Sequence, residues 1–245
     1  MRDQDLHHEI EQTELKQGSV KLLKSSSIVS FMTMCSRLAG LIRDVVIARF
    51  IGADAMADAF FVAFKIPNFF RRLFSEGAFA QAFVPVLAEY RESGSQAAVK
   101  AFIDKVAGAL GSVLIAFTVF VVIASPIITG IFAFGFWLDD AEKFSAASDM
   151  LRITFPYLLL ISLTGFAGAI LNSYERFAVP AITPIFLNIS LIFAAIFVSP
   201  WLDRPVYALA WGVLAAGIIQ LLFQLPFLAK IRMIPSPVVS WRDEG

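Results

Sequence analysis

Six basic side chains stand where the sequence is otherwise apolar: Arg37, Arg43 and Arg49 within 27–50, and Lys65, Arg71 and Arg72 within 58–90. Up to residue 88 the same two stretches hold three acids, Asp44, Asp58 and Glu76, so pairing among them leaves three positive charges unmatched. A cation at mid-bilayer costs roughly 2.5 to 3.5 kcal/mol on insertion scales, so several are tolerated only where they face a protein interior or water. An anionic guest relieves the excess. Arginine suits a phosphate-bearing guest, because its planar fork donates two parallel hydrogen bonds and keeps its proton. A molecule carrying phosphate and an apolar tail fits this chemistry best.

Spacing arranges these charges. Asp58, Lys65 and Arg72 recur every seven residues; each step turns a helix about 700°, roughly 20° short of two turns, which makes one stripe. Arg37 and Asp44 share that spacing, Arg43 is one residue from Asp44, and Gly40 leaves space between them. Two polar stripes on apolar helices are expected to face one another or a common cavity. Pro67 removes a backbone hydrogen bond and bends the helix, so the freed carbonyl and Asn68 are expected to be available to a ligand or a water.

Plainer readings stand beside these. Arg49 is near a span end and can snorkel to the interface, Arg72 and Glu76 are four apart and can pair, and Asp58 can be an N-cap. Asn188 and Gln220, single polar residues in clean spans, read as interhelical hydrogen-bonders. Pro156, Pro180 and Pro184 fall near expected helix starts, where a missing N–H costs little. The pair Asp139-Asp140 falls in an outward loop and reads as solvated.

The elements that must carry these side chains follow from composition. Of 245 residues, 58% are hydrophobic and 25 are Phe, well above the soluble average of roughly 45 to 50% apolar. The runs 106–138, 153–174, 177–202 and 205–229 contain no Asp, Glu, Lys or Arg, and about 20 such residues cross the hydrocarbon core. Four spans are therefore expected near 106–126, 153–173, 180–200 and 206–229. Stretches 27–50 and 58–90 are marginal by hydropathy alone but count as spans, since a soluble cap would have to bury their aromatic runs. The expected fold is all-α, a polytopic membrane protein of six helices over 27–232, with a polar tail at 1–26 and a further segment at 233–245.

No apolar run follows an early basic cluster in the first twenty residues, so no cleavable signal peptide is expected. Six spans put both ends on one side. That side collects Arg2, Lys16, Lys21, Lys24, Arg91, Lys100, Lys105, Arg176, Lys230, Arg232 and Arg242, against Arg49, Lys143, Arg152 and Arg204 on the other. The positive-inside rule then makes both termini cytoplasmic.

Composition also excludes. Twenty acids balance twenty bases, so bulk charge favours no nucleic acid. One cysteine, Cys35, and two histidines, His7 and His8 in the polar tail, leave no disulfide framework and no ligand set for a metal in the apolar region. No cofactor is expected.

A family resemblance is carried by Ser36-Arg37-Leu38-Ala39-Gly40-Leu41-Ile42-Arg43-Asp44, Asp58-Ala59-Phe60-Phe61-Val62-Ala63-Phe64-Lys65-Ile66-Pro67-Asn68 and Arg71-Arg72-Leu73-Phe74-Ser75-Glu76-Gly77-Ala78-Phe79. Phe83-Val84-Pro85, Thr154-Phe155-Pro156-Tyr157, Ala169-Ile170-Leu171-Asn172 and Leu187-Asn188-Ile189-Ser190 extend it. These strings closely resemble the N-terminal lobe of the MurJ/MviN lipid II flippases, in the multidrug/oligosaccharidyl-lipid/polysaccharide exporter superfamily, over about residues 20 to 245. The resemblance implies a transporter, not an enzyme, of the bacterial inner membrane. It would move the lipid-linked peptidoglycan precursor outward by alternating access, serving cell wall biogenesis and cell shape. The family's cavity arginines fall on Arg37, Arg43 and Arg71 and its functional aspartate on Asp58. Lys65, Asn68 and Arg72 join them as candidate substrate-binding residues, Asp58 and Lys65 as a gate. The implied partners are lipid II, membrane lipid and a second lobe. The family has two six-helix lobes plus two further helices, whereas this chain stops after the sixth span and reads as a fragment.

Four other functions compete. A drug exporter of the same superfamily needs an acidic cavity for organic cations, and another polyprenyl-linked saccharide exporter needs a basic one. An intramembrane enzyme acting on polyprenyl phosphate needs clustered carboxylates or a histidine. Asp58 and Glu76, on one straight helix, would stand about 27 Å apart. A non-catalytic scaffold is the last alternative.

Overall fold

The computed structural model describes residues 2–52, 55–72 and 78–238, and among them it contains helices and turns but no strand. Ten α-helices follow in order: α1 (Arg2–Phe50), α2 (Ala55–Arg71), α3 (Ala78–Ser93), α4 (Gln96–Ile123), α5 (Ser125–Phe132), α6 (Phe134–Asp139), α7 (Ala141–Thr154), α8 (Tyr157–Ser173), α9 (Ala178–Phe193) and α10 (Tyr207–Lys230). A π-helical turn, Ala194–Val198, and a 3-10 turn, Ser199–Trp201, prolong α9.

Four of these helical units are long and apolar enough to cross a membrane: Gln96–Ile123, Ala141–Ser173, Ala178–Trp201 and Tyr207–Lys230. They are the four spans expected from charge-free runs, with two earlier starts. α4 begins at Gln96 because Ser95 caps it, its hydroxyl accepting from the Ala98 amide at 3.2 Å, and its Lys100 and Asp104 pair one turn apart. The second unit begins at Ala141, capped by Asp140, whose carboxylate accepts from the Lys143 amide at 2.9 Å. Asp140, the one residue between α6 and α7, is thus a helix cap where a solvated outward loop was expected. Pro156 interrupts this unit between α7 and α8, as its missing N–H predicts.

The first two expected spans differ. α1 runs through both the polar segment and 27–50, and Gly52, at φ +91°, turns the chain after it. In the stretch 58–90, read as one helix, the structure describes α2 and α3, and residues 73–77 between them lie outside the described residues. Asp58 and Lys65 share α2, and Arg72 follows directly on its last residue, Arg71, in a π-helical conformation. The Arg72–Glu76 pairing lies outside the described residues. Pro184 also departs from expectation: it is inside α9, not at its start.

Small residues let the helices approach. Ala57, Ala59 and Ala63 of α2 are buried where it packs on α7, which buries Ala146 and Ala147. α10 buries Ala208, Ala210, Gly212, Ala216 and Gly217 and packs on α8 and α9. In lipid, where no hydrophobic force draws helices together, such close contact supplies the dispersion that holds a bundle. Aromatic rings fill the remainder. Phe70 meets Phe117 at 5.1 Å and Phe155 at 5.9 Å between centroids, edge to face.

α1 packs chiefly on α9, whereas α2 packs on α7, α8, α10 and α5. The charged stripes of α1 and α2 therefore do not meet helix against helix. The segment after α10 returns to α4, where the Ser236 amide donates to the Asp104 carboxylate at 2.6 Å. Gly108 admits it, since a Cβ there would lie 2.2 Å from the Val238 carbonyl oxygen.

Candidate functional site

On α1, Arg43 is held from two sides. Its Nε and one terminal nitrogen donate to Asp44 at 2.9 and 2.7 Å, and the other donates to the Asn188 carbonyl oxygen of α9 at 2.9 Å. Asn188 in turn donates to the Ser36 carbonyl at 3.0 Å. It lies against Gly40, whose added Cβ would be 3.8 Å from the Asn188 oxygen. Asn188 is thus the interhelical hydrogen-bonder expected. Arg43 is half-buried and matched by its neighbour Asp44. A guanidinium has five N–H donors; three bonds leave two. Arg37 is exposed on the same helix.

On α2, Pro67 withdraws a donor from the Ala63 carbonyl. That carbonyl is not left for a ligand as expected: the buried Thr154 hydroxyl of α7 donates to it at 3.0 Å. Asn68 likewise spends an amide proton on its own helix, at the Phe64 carbonyl, 3.0 Å away. Asp58, in the first turn of α2, pairs with Lys143 of α7 at 3.0 Å, and Lys143 also sits 4.2 Å from the Phe136 ring centroid. Asp58 therefore ties α2 to α7. Lys65 and Arg72 are exposed.

Asn68 and Arg71 come together on the wall of a cavity of about 840 Å³. α8 supplies Tyr157, Thr164 and Asn172 to it, α9 supplies Thr183 and Pro184, and α10 supplies Gln220 and Gln224. Ligand pockets begin near 300 Å³, so the space admits a guest far larger than water. Arg71 is half-buried at the last turn of α2, with Tyr157 close enough to feel its charge. Of the seven candidate residues, then, the structure brings Asn68 and Arg71 to one cavity, fixes Arg43 on the α1–α9 seam, fixes Asp58 on α7, and leaves Arg37, Lys65 and Arg72 exposed.

Gln220 is an interhelical hydrogen-bonder as expected, its amide donating to the Thr183 carbonyl at 3.1 Å. Sequence reasoning missed Gln224, Tyr157 and Thr183. The signal was present for Gln224, because two glutamines four apart in a charge-free span lie on one helix face. Among the described residues no group of three metal-ligating side chains is placed to hold an ion.

Helices long and apolar enough to span a bilayer, tight small-residue contacts and a polar cavity among them define an all-α, multi-pass membrane protein. Residues 47–245 match the family described as Lipid II flippase MurJ. The chain is 48% identical over 233 residues to a probable lipid II flippase MurJ of Vibrio cholerae, covering 93% of this chain and 44% of that one. It is 47% identical over 220 residues to its counterpart in Haemophilus influenzae, covering 87% and 43%. A solved structure of a lipid II flippase MurJ in an inward closed conformation superposes with a TM-score of 0.70 at 28% identity, over 87% of this chain and 43% of that one. The chain belongs to the lipid II flippase MurJ family. It spans less than half the length of these relatives.

Proposed function

We propose that this chain forms the N-terminal lobe of a lipid II flippase of the bacterial inner membrane, working by alternating access with a second lobe. The observation that carries the reading is Arg71, half-buried beside Asn68 on the wall of a large cavity inside a membrane-spanning bundle, in a chain whose relatives are named for that transport. A guanidinium there replaces the hydration of a pyrophosphate with charge-assisted hydrogen bonds. Arg43 adds its two remaining donors from the seam, and Arg37, Lys65 and Arg72 supply exposed positive charge that attracts the anionic headgroup while the polyprenyl chain stays in lipid. Asp58 acts through Lys143, an ion pair between α2 and α7 that can break as the lobes rock. Both termini are cytoplasmic. In support, Arg91 in the last turn of α3 donates to the Ser173 carbonyl and stacks 4.4 Å over Tyr174, so the basic segments near Arg91 and Arg176 share one end of the bundle.

The test is translocation of labelled lipid-linked precursor by the complete gene product in proteoliposomes. Arg71→Ala should slow it at least about tenfold, the scale of one lost charge-assisted hydrogen bond. Arg71→Lys should fall between, since charge survives without the fork. Unchanged transport by Arg71→Ala would remove Arg71 from the site, and chemical alteration of the precursor would favour an enzyme.

A further inference from the structure

We propose that a second cavity, between α4, α8 and α10, is a binding site for an anionic phospholipid of the surrounding bilayer, with one acyl chain in the cavity and the phosphate held by Lys230 and Arg232. The proposal goes beyond the flippase reading, since the bound lipid is not the transported molecule.

α10 presents a different chemistry on each side. Gln220 and Gln224 border the cavity that holds Arg71, whereas Leu221, Leu225 and Leu228 border the second one, of about 360 Å³, which α4, α8 and the segment after α10 complete. No charged side chain lines it, and its one hydroxyl, Ser112, donates to the Gly108 carbonyl of its own helix at 2.7 Å. Sugar and phosphate gain nothing in such a space. Hydrocarbon does, because an apolar void stays dry and takes up an apolar guest.

Two glycines of α4, Gly108 and Gly111, both line this cavity and differ in what requires them. A Cβ at Gly108 would lie 2.2 Å from the Val238 carbonyl oxygen, so the returning segment demands that glycine. A Cβ at Gly111 would meet nothing within 4 Å. Glycine inside a helix costs stability relative to alanine, and here no protein contact explains it; what it preserves is room in the cavity. The lining runs from Ala107 to Ile115, about 12 Å along α4, against the roughly 15 Å that one leaflet gives to the hydrocarbon core. Ile115 and Ile234, both lining residues, are exposed, which puts the rim within reach of lipid.

Charge completes the site. Leu228 and Ile234 line one end of the cavity, and between them in the chain stand Lys230 and Arg232, both exposed. Arg232, at φ 59°, turns the chain from α10 into the returning segment. Neither α10 nor residues 231–238 contain an acid, and Asp104 of α4, which meets that segment, is already engaged by Lys100 and by the Ser236 amide. Two cations therefore stand at the end of a hydrocarbon slot, which suits an anionic headgroup with its chain beside it. The tail of a molecule bound at Arg71 has no direct way in, because α8 and α10 separate the two cavities and pack closely: a Cβ at Gly217 would lie 3.0 Å from Leu160.

Native mass spectrometry of the complete gene product, delipidated in detergent, tests this by titration with phosphatidylglycerol and with phosphatidylcholine of the same chains. Phosphatidylglycerol should bind on the order of twentyfold more tightly, about fivefold for each basic residue at the membrane surface. Lys230→Gln with Arg232→Gln should abolish that preference and leave phosphatidylcholine unchanged. Gly111→Leu, which fills the slot, should weaken both lipids about tenfold through lost apolar burial. Gly135→Leu, at an equally open glycine of α6 that does not line the cavity, should change neither. If Gly111→Leu fails to fold, the exposed pair Lys230 and Arg232 still carries the test. Equal binding of the two lipids by the wild type would overturn the proposal, as would unchanged binding in Gly111→Leu, the result expected if residues 239–245 fill the slot. Displacement of phosphatidylglycerol by an equal concentration of a polyprenyl pyrophosphate would overturn it too, giving the slot to the tail of the transported molecule. Translocation by the Arg71→Ala variant is a separate readout, so the flippase reading and this site fail independently.

Discussion

The two half-buried arginines of the bundle, Arg43 and Arg71, occupy opposite settings. Arg43 sits on a helix seam, with its nitrogens directed at Asp44 and at Asn188 across the contact. Arg71 sits on the wall of an open cavity whose other faces carry hydroxyls and carboxamides. Identical side chains in marginal spans thus divide the labour: one joins α1 to α9, while the other remains where a large guest can reach it. The glycines repeat the contrast. Gly40 on the seam has room around it, whereas a Cβ at Gly217, behind the cavity, would lie 2.8 Å from the Tyr157 ring.

Five substitutions sharpen or break this comparison. The largest effect is expected from Asn188→Leu, which strips Arg43 of its cross-helix acceptor and the Ser36 carbonyl of its donor. It should lower stability by about 2 to 3 kcal/mol, two polar partners being lost in a nearly closed contact. Denaturant titration of the reconstituted protein measures it, and a loss below about 0.5 kcal/mol would mean the seam is not held by this residue. Next, Gly217→Ala should cost about 1 to 3 kcal/mol by overpacking and displace Tyr157 toward the cavity, visible as weaker lipid binding. Its counterpart Gly40→Ala meets only ordinary contact at 3.8 Å and should stabilise by up to about 1 kcal/mol, the helix-propensity difference. If both glycines respond alike, the contrast between tight cavity wall and roomy seam fails.

Thr154→Val comes third. It leaves the Ala63 carbonyl beside Pro67 without its donor, at about 1 to 2 kcal/mol, and the accompanying bend change in α2 should reduce transport because Arg71 rides on that helix. Normal transport in this variant would uncouple the bend from the site. The smallest change is expected for Asp58→Asn: the Lys143 pair has an Asp58 side chain 66% exposed, so stability should move by less than about 0.5 kcal/mol. A transport defect without a stability defect would then assign Asp58 to the moving cycle.

Much of the architecture was legible in one dimension. The four charge-free runs became the four membrane-capable helical units, because about 20 apolar residues state the thickness of a bilayer without reference to any partner. Asn188 and Gln220 stood out for the same reason, as lone polar groups in apolar helices. The place of Pro184 inside α9 was not legible, since a proline near the edge of an apolar run reads as a helix start. Nor was the N-terminal extension of α4, where caps and an i, i+4 ion pair outweigh local polarity.

The candidate site divided along the same line. Residue types and their excess positive charge required an anion-seeking face, and that is a property of composition which any fold of this chain must accommodate. That Arg43 is tied to Asp44 and Asn188, that the carbonyl beside Pro67 is already satisfied, and that Gln220 and Gln224 both reach Thr183 depend on Asp44, Asn188, Thr154 and Thr183 arriving from specific directions. Hydrogen bonds are short and directional, whereas hydrophobic and Coulombic preferences are neither. The sequence by itself therefore determined that the chain enters a membrane and carries surplus cations there, and only the packing of α2, α8, α9 and α10 decided where those cations act.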